Sequence, residues 1–257
     1  MITVNVHESC GTIMLDRPSH CNALNRKMLE GLSEAIDDLR QQKSVRGIVL
    51  SGKGAHFCAG LDLKELEETA HSDGAMETWF QDAQLAKKLV EEMLQCPKPI
   101  IAAVDGAAIG MGLSLMLACD LVVASHRATF RIPATRLGIV AGLSIPLLTF
   151  RAGASTASRI LIGNAELDSQ EAKNLGLVHH VVDSDQVWVR ASTWVGQLSE
   201  CAPEALQLTK KVLNEMVGEE LSTWLASGAA ATATSLTTEA ATEGLKAAKE
   251  KREPKFL

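Results

Sequence analysis

Apolar and polar residues alternate through positions 2–7, and a second short run, 12–16, carries three apolar residues in succession. These are two β-rich runs around Ser9-Cys10-Gly11 that predict a hairpin, ended by Asp16-Arg17-Pro18. The period then lengthens. Met28, Leu32, Ile36 and Leu39 share one face of a helix predicted over 26–42, after Asn22-Ala23-Leu24-Asn25. A buried strand follows over 47–51, closed by Gly52-Lys53-Gly54. The polar stretch 67–74 is expected to be mobile. A helix over 76–95 comes next, stopped by Pro97 and Pro99. Another apolar strand, 100–104, runs into a turn at Asp105-Gly106 and a second turn at Gly110-Met111-Gly112. Beyond it the pattern predicts an apolar helix over 113–118, a strand over 121–124 and a short extended piece over 128–132. Helices are expected over 143–162, 169–175, 186–198, 204–216 and 219–251. Strand-helix alternation thus predicts repeated ββα units in the first two thirds and helices alone in the last. The expected division is a core over 1–185 and a helical region over 186–257.

Composition narrows the function. Of 257 residues, 46% are hydrophobic and 22% charged, a globular balance. Tyrosine is absent, which removes it as an acid, a base or an oxyanion donor. A net charge of −6 speaks against nucleic acid or an anionic membrane as main partner. Six cysteines without a C-x-x-C pair read as reduced, mostly buried thiols. The start MITVNVHESCG lacks a signal-peptide pattern, and no uncharged run approaches the roughly 20 residues that span a bilayer. A soluble cytoplasmic protein is expected.

The candidate chemistry lies where the chain enters the 113–118 helix. The first amides of a helix lack intrahelical partners and sit at the positive end of its dipole. Small residues crowd that end here, so a ligand carbonyl can approach the backbone. Packing alone is the other use for such glycines. Upstream stands a second glycine-bearing stretch, GKGAHFCAGLDLKEL at 52–66.

That stretch, paired with KPIIAAVDGAAIGMGLSLMLACDLVVAS at 98–125, resembles the crotonase (enoyl-CoA hydratase/isomerase) superfamily. So do LDRPSHCNALNRKM near the start, RLGIVAG, NAELDSQEAKNLGLVHHVV and the C-terminal EGLKAAKEKREPKF, all in the family's order. The resemblance implies an α/β fold, a spiral of ββα units followed by a C-terminal helical trimerisation region, assembled as a homotrimer or homohexamer. It implies an acyl-CoA thioester as substrate, with coenzyme A as part of that substrate, no further cofactor and no metal. By position, the backbone amides of Leu61 and Met111 form the oxyanion hole that stabilises the thioester enolate. Met111 stands where the family usually has glycine. Ala23, Ala59, Leu61, Asp62, Leu63, Lys64 and Met111 fall on the CoA-binding positions. Lys64 is the residue to pair with a CoA phosphate, the alternative being a solvated lysine at a helix start.

The departures are as informative. The first hydratase glutamate falls on Ser114, and the second, in a P-E before L-G, falls on Ala134. Leu143-Ser144-Ile145-Pro146 replaces a run of small residues. Ala141, Gly142 and Leu143 supply no carboxylate either. Asp62 reads as structural, Asp105 and Asp120 as turn caps, and His56 as loop surface. Arg131 and Arg136 read as structural or as contacts for an acidic acyl group. Ser114 has two uses, orienting a substrate or water, or bonding back to a helical carbonyl. Three readings follow. The first is a CoA-thioester enzyme relying on the oxyanion hole for isomerisation, decarboxylation, C–C cleavage or hydrolysis. The second is a non-catalytic acyl-CoA binder or scaffold. The third, an ordinary enoyl-CoA hydratase, is weakest, since one acid/base group contributes ~10²–10⁴ in rate.

Overall fold

The computed structural model describes residues 1–256, with the side chains of 215–219 outside the description. Strands β1 (Ile2–His7) and β2 (Cys10–Leu15) pair antiparallel. The hairpin turn is Glu8-Ser9, one step earlier than expected, with Glu8 at φ 52°. Helix α1 (Arg26–Gln41) starts at Asn25, whose side chain accepts from the Met28 amide, and buries Met28, Leu32, Ile36 and Leu39. Strand β3 (Gly47–Gly52) returns parallel to β2.

The 67–74 stretch departs from expectation. Its first half completes helix α2 (Leu63–Ala70), because Asp62 caps the helix through the Lys64 and Glu65 amides and Leu66 and Thr69 turn inward. Helix α3 (Ala75–Gln95) follows. Strands β4 (Ile100–Val104) and β5 (Ala107–Ile109) then lead into helix α4 (Met111–Ala118), all of whose residues are buried. Next come β6 (Leu121–Ser125), β7 (Thr129–Arg131) and α5 (Ser144–Leu161), the last kinked at Gly153. Strand β8 (Leu167–Asp168), α6 (Ser169–Asn174), β9 (His180–Val182) and α7 (Val187–Ser199) complete the core.

The C-terminal helices are α8 (Pro203–Leu236) and α9 (Glu239–Glu250). The expected break between Met216 and Glu219 falls on residues outside the described side chains, and α8 runs on to Leu236. The chain instead turns at Thr237-Thr238, where Thr238 caps α9 through the Ala241 amide.

The strands form two sheets. The larger runs β1-β2-β3-β4-β6-β9, parallel from β2 onward, and the smaller runs β5-β7-β8. The pairs β4–β5 and β6–β7 each give their first strand to the large sheet and their second to the small one, whereas β1 and β2 both belong to the large sheet. Along β3 and β4 the pleat sorts side chains strictly: Ile48, Leu50, Ile100, Ala102 and Val104 join the main core. Val49, Ile101 and Ala103 face α7 through Val187, Ala191 and Val195. Helix α8 packs on α3 and is anchored by Lys210, 8% exposed, whose ammonium bonds Asp120 at 2.7 Å and the Met93 and Lys98 carbonyls. Asp120 also accepts the Ile100 amide at 2.7 Å, so it ties β4 to α8 as well as ending α4. Among the described residues no helix is long and apolar enough to cross a membrane, and no cluster of His, Cys, Asp or Glu is placed to hold a metal ion. The cysteines are free thiols, with Cys10, Cys58, Cys96 and Cys119 buried and Cys21 and Cys201 exposed.

Candidate active site

Two chain segments far apart in sequence are stitched edge to edge where β5 meets the loop after β3. The Cys58 amide donates to the Ala107 carbonyl at 3.0 Å, and the Ile109 amide donates to the Cys58 carbonyl at 2.9 Å. Gly112 lies against Cys58 so closely that a β-carbon there would overlap the Cys58 carbonyl. Gly60, at φ 94°, approaches the other turn: a β-carbon on it would stand 2.9 Å from the Ile109 carbonyl and 3.4 Å from the Met111 nitrogen. Glycine is therefore required at both places by contact, and at Gly60 by backbone conformation too.

This stitching brings Gly60, the residue before Leu61, against the Met111 nitrogen. Leu61 bridges Leu24 through its neighbours only: the Leu24 amide donates to the Gly60 carbonyl and the Asp62 amide to the Leu24 carbonyl. Among the described residues neither the Leu61 nor the Met111 amide finds an acceptor. Met111 opens α4, whose N-cap, Gly110, supplies no side-chain bond, so the positive end of the helix faces outward. At the far end Arg151 donates to the Leu117 and Cys119 carbonyls at 2.9 and 2.8 Å, a cation on the negative pole. Cys58 sits behind the pair as an inert linker. Burial pushes its thiol up to about 12, and it donates to the Asn22 carbonyl while accepting the Gly60 amide.

Leu61 and Met111 both line a cavity of about 330 Å³, walled by α2, α3, the start of α4, the turn before α5 and α8. The sequence-predicted residues Ala59, Leu61, Asp62, Leu63, Met111 and Ser114 line it, as does Ala134. Ala23 and Lys64 lie outside this wall. Ala23 accepts the Arg17 guanidinium at 3.0 Å through its carbonyl, and Lys64 stands in solvent beside Glu68 at 3.6 Å. Ser114 does bond back to the Gly110 carbonyl, at a long 3.5 Å, but its closer partner is the Ser144 hydroxyl at 2.7 Å. The structure brings Ser114 and Ala134, the positions where the resemblance leads one to expect glutamate, to one cavity.

Of the charged part of the wall, sequence reasoning named Asp62 and Arg131 but missed Glu65, Asp82 and Arg26. Asp62, Glu65 and Asp82 line the cavity, each beside an arginine. Asp62 meets Arg17 at 2.5 Å. Burial pulls its pKa upward, but the Arg17 hydrogen bond and charge, with the Lys64 and Glu65 amides, hold it below the usual carboxylate range. Arg26 forks onto both oxygens of Asp82 and reaches Glu65 only at 3.9 Å. Glu65 accepts the Arg26 amide at 3.0 Å. Burial raises its carboxyl above the ordinary value against the pull of Arg26, and the nearby Asp82 and Asp62 charges add to the rise. No spacing rule links Arg26 to Asp82, which meet only because α1 and α3 pack together. Arg131 also lines the cavity and pairs with Glu166 at 3.4 Å. Trp79, 6% exposed, keeps an indole N–H without an acceptor among the described residues. His56 is tied into the turn rather than free, its Nδ1 accepting the Ala107 amide at 3.4 Å. Asp105 is held by Arg127 and Ser184 at 2.8 and 2.9 Å.

Residues 5–257 match the family model described as enoyl-CoA hydratase/isomerase. A putative enoyl-CoA hydratase of Thermus thermophilus is 34% identical over 244 residues, 95% of this chain and 96% of the relative. The mitochondrial methylglutaconyl-CoA hydratase of Mus musculus is 34% identical over 257 residues, 97% of this chain and 80% of the relative. Among solved structures, an enoyl-CoA hydratase/isomerase from Xanthobacter autotrophicus Py2 superposes with a TM-score of 0.89 at 26% identity, covering 97% of this chain and 93% of that one.

Proposed function

The chain belongs to the enoyl-CoA hydratase/isomerase family, and from that premise we propose that it takes an acyl-CoA thioester with its carbonyl oxygen between the Leu61 and Met111 amides. The observation that supports this reading is that neither the Leu61 nor the Met111 amide has an acceptor among the described residues, while both residues line the cavity and Gly60 packs against Met111. Donors fixed before the reaction stabilise the charge of an enolate without reorganising, each worth about 3 kcal/mol. The N-terminus of α4 adds its dipole at the same point. The apolar wall would receive the acyl chain. Ala23, Ala59, Leu63 and Lys64 would take the CoA moiety, Lys64 exchanging its exposed and therefore weak Glu68 pair for a phosphate. The free thiols favour a reducing compartment, the cytoplasm.

With Ser114 and Ala134 in the glutamate positions, the reaction is not carried by the usual pair of carboxylates. For turnover the proton carrier we assign is Glu65. Asp62 and Asp82 sit in close arginine pairs, whereas Glu65 meets its arginine at 3.9 Å and its pKa is raised by burial. A second reading, an acyl-CoA binder without turnover, draws on the same wall, since all three carboxylates have an arginine beside them.

One experiment separates the two. Butyryl-CoA is incubated with the protein in D₂O, and deuterium at the α-carbon is followed by mass spectrometry. Exchange that drops by about 10² or more in Glu65→Gln supports the catalytic reading. Tight binding without exchange supports the binder, and absence of binding overturns both.

A further inference from the structure

Among the described residues Ser114 and Ser144 form the one neutral hydroxyl pair in the cavity wall, Oγ to Oγ at 2.7 Å. They arrive from different elements, Ser114 one turn into α4 and Ser144 at the first position of α5. Both line the cavity and both are buried; Ser114 has the Gly110 carbonyl as a second partner, whereas the Ser144 hydroxyl has none but Ser114 among the described residues, so Ser144 is the hydroxyl with bonding capacity left for a ligand. The other wall hydroxyl, on Thr232, is already committed: it accepts the Gly142 amide at 3.0 Å and has the Val140 and Gly228 carbonyls as acceptors.

The protons of the pair can be counted. Two hydroxyls carry two protons, and one proton lies in the bond between them. If Ser114 donates to Ser144, the Ser144 proton has no protein acceptor among the described residues and is free for a ligand. If Ser144 donates instead, the Ser114 proton has only the Gly110 carbonyl at 3.5 Å, and the Ser144 oxygen is left free to accept from a ligand. Rotating two hydroxyls therefore presents a donor or an acceptor at the same point.

The position follows from the helix. Ser114 is three residues past Met111, a rise of about 4.5 Å along the axis. That is the scale of the step from a thioester carbonyl held at the Met111 amide to a substituent on the β-carbon.

We propose that Ser144, oriented by Ser114, is the specificity-determining hydroxyl of this cavity and reads an oxygen on the β-carbon of the acyl group. The ligand class is the β-oxo and β-hydroxy acyl-CoA thioesters. A ketone takes the donor arrangement, and an alcohol takes either. An acyl group without that oxygen leaves the pair unmatched in an apolar wall, which disfavours it. This inference rests on the thioester reading of the site.

The test is calorimetric titration of the intact protein with acetoacetyl-CoA, 3-hydroxybutyryl-CoA and butyryl-CoA. The wild type should prefer each β-oxygenated ligand over butyryl-CoA by about tenfold, the range of one hydrogen bond. Ser144→Ala should bring that ratio to near one. Ser144→Cys, close in volume and a weaker hydrogen-bonding group, should fall between. Ser114→Ala should lower the ratio partway, because Ser144 then loses its orienting partner. A purely structural role for the pair would lower the melting temperature of the variants and leave the ratio alone, which overturns the proposal. Equal affinity for all three ligands in the wild type overturns it alone. Absence of binding by all three overturns the thioester reading and this inference with it.

Discussion

Gly60 and Met111 stand so close that a β-carbon on the glycine would lie 3.4 Å from the Met111 amide nitrogen. The same carbon would press on the Ile109 carbonyl at 2.9 Å, and the residue already sits at φ 94°. Gly60→Ala should therefore cost about 1–3 kcal/mol in backbone strain, read by urea denaturation. It should also spread the two amides. A conjugated acyl-CoA whose carbonyl is polarised between them absorbs at longer wavelength when bound, and the variant should lose most of that shift. An unchanged shift would show that the carbonyl is held elsewhere.

Ser114 and Ala134 share the cavity with both amides, but no glutamate stands at either position. Hydration of crotonyl-CoA should be at least ~10³-fold slower than in a relative with both carboxylates. The double variant Ser114→Glu, Ala134→Glu should gain hydratase activity. Either single variant should gain little, since the two groups act as a unit. Wild-type turnover of about 10 s⁻¹ on crotonyl-CoA, ordinary for an enzyme, would refute this.

Two carboxylates of the wall should leave opposite marks on stability against pH. Asp62, held low by Arg17, contributes stability that is present above its unfolded pKa of about 4 and is lost as pH falls through its lower folded value. Glu65, held high by burial, favours the neutral form. Its contribution is present below its unfolded pKa and is lost as pH rises through its folded value. Asp62→Asn should thus lie below the wild type at pH 7 and converge with it in acid. Glu65→Gln, which still accepts the Arg26 amide, should gain on the wild type between acid and neutral pH. Urea midpoints across the pH range give both curves.

Lys210→Met removes the cation from a pair in which Asp120 keeps 20% of its side-chain surface. Loss of one partner of a buried pair costs roughly 3–5 kcal/mol, and the lower end is expected because Asp120 retains some water. Replacing both, Lys210→Met with Asp120→Asn, should recover part of the loss. A single variant as stable as the wild type would show that the α8 anchor is apolar.

Leu208, Val212 and Leu213 on α8 are 60%, 52% and 61% exposed. We propose that they are covered by other copies of the chain in a trimer or hexamer. Light scattering should report that mass for the wild type and a smaller one for Leu208→Glu, Leu213→Glu. A monomeric wild type at micromolar concentration would sink the proposal.

What the sequence determined by itself was local and ordered. The alternating run at β1, the continuous apolar runs at β3 and β4, the apolar face of α1 and the glycine turns flanking α4 follow from backbone sterics and from the local spacing of apolar residues. The resemblance carried by six motifs in order assigns Leu61, Met111, Ser114 and Ala134 to the candidate site. Tertiary structure decided what depends on two segments meeting. The closeness of Gly60 to Met111, the Ser114–Ser144 bond and the Arg26–Asp82 fork join residues 51, 30 and 56 positions apart. No periodicity spans such separations, because side-chain pairs across a core are selected by packing and not by spacing. The same reason explains the 67–74 stretch. Its polarity predicted mobility, but a capping aspartate and two inward residues, Leu66 and Thr69, sufficed to hold its first half as helix against the cavity.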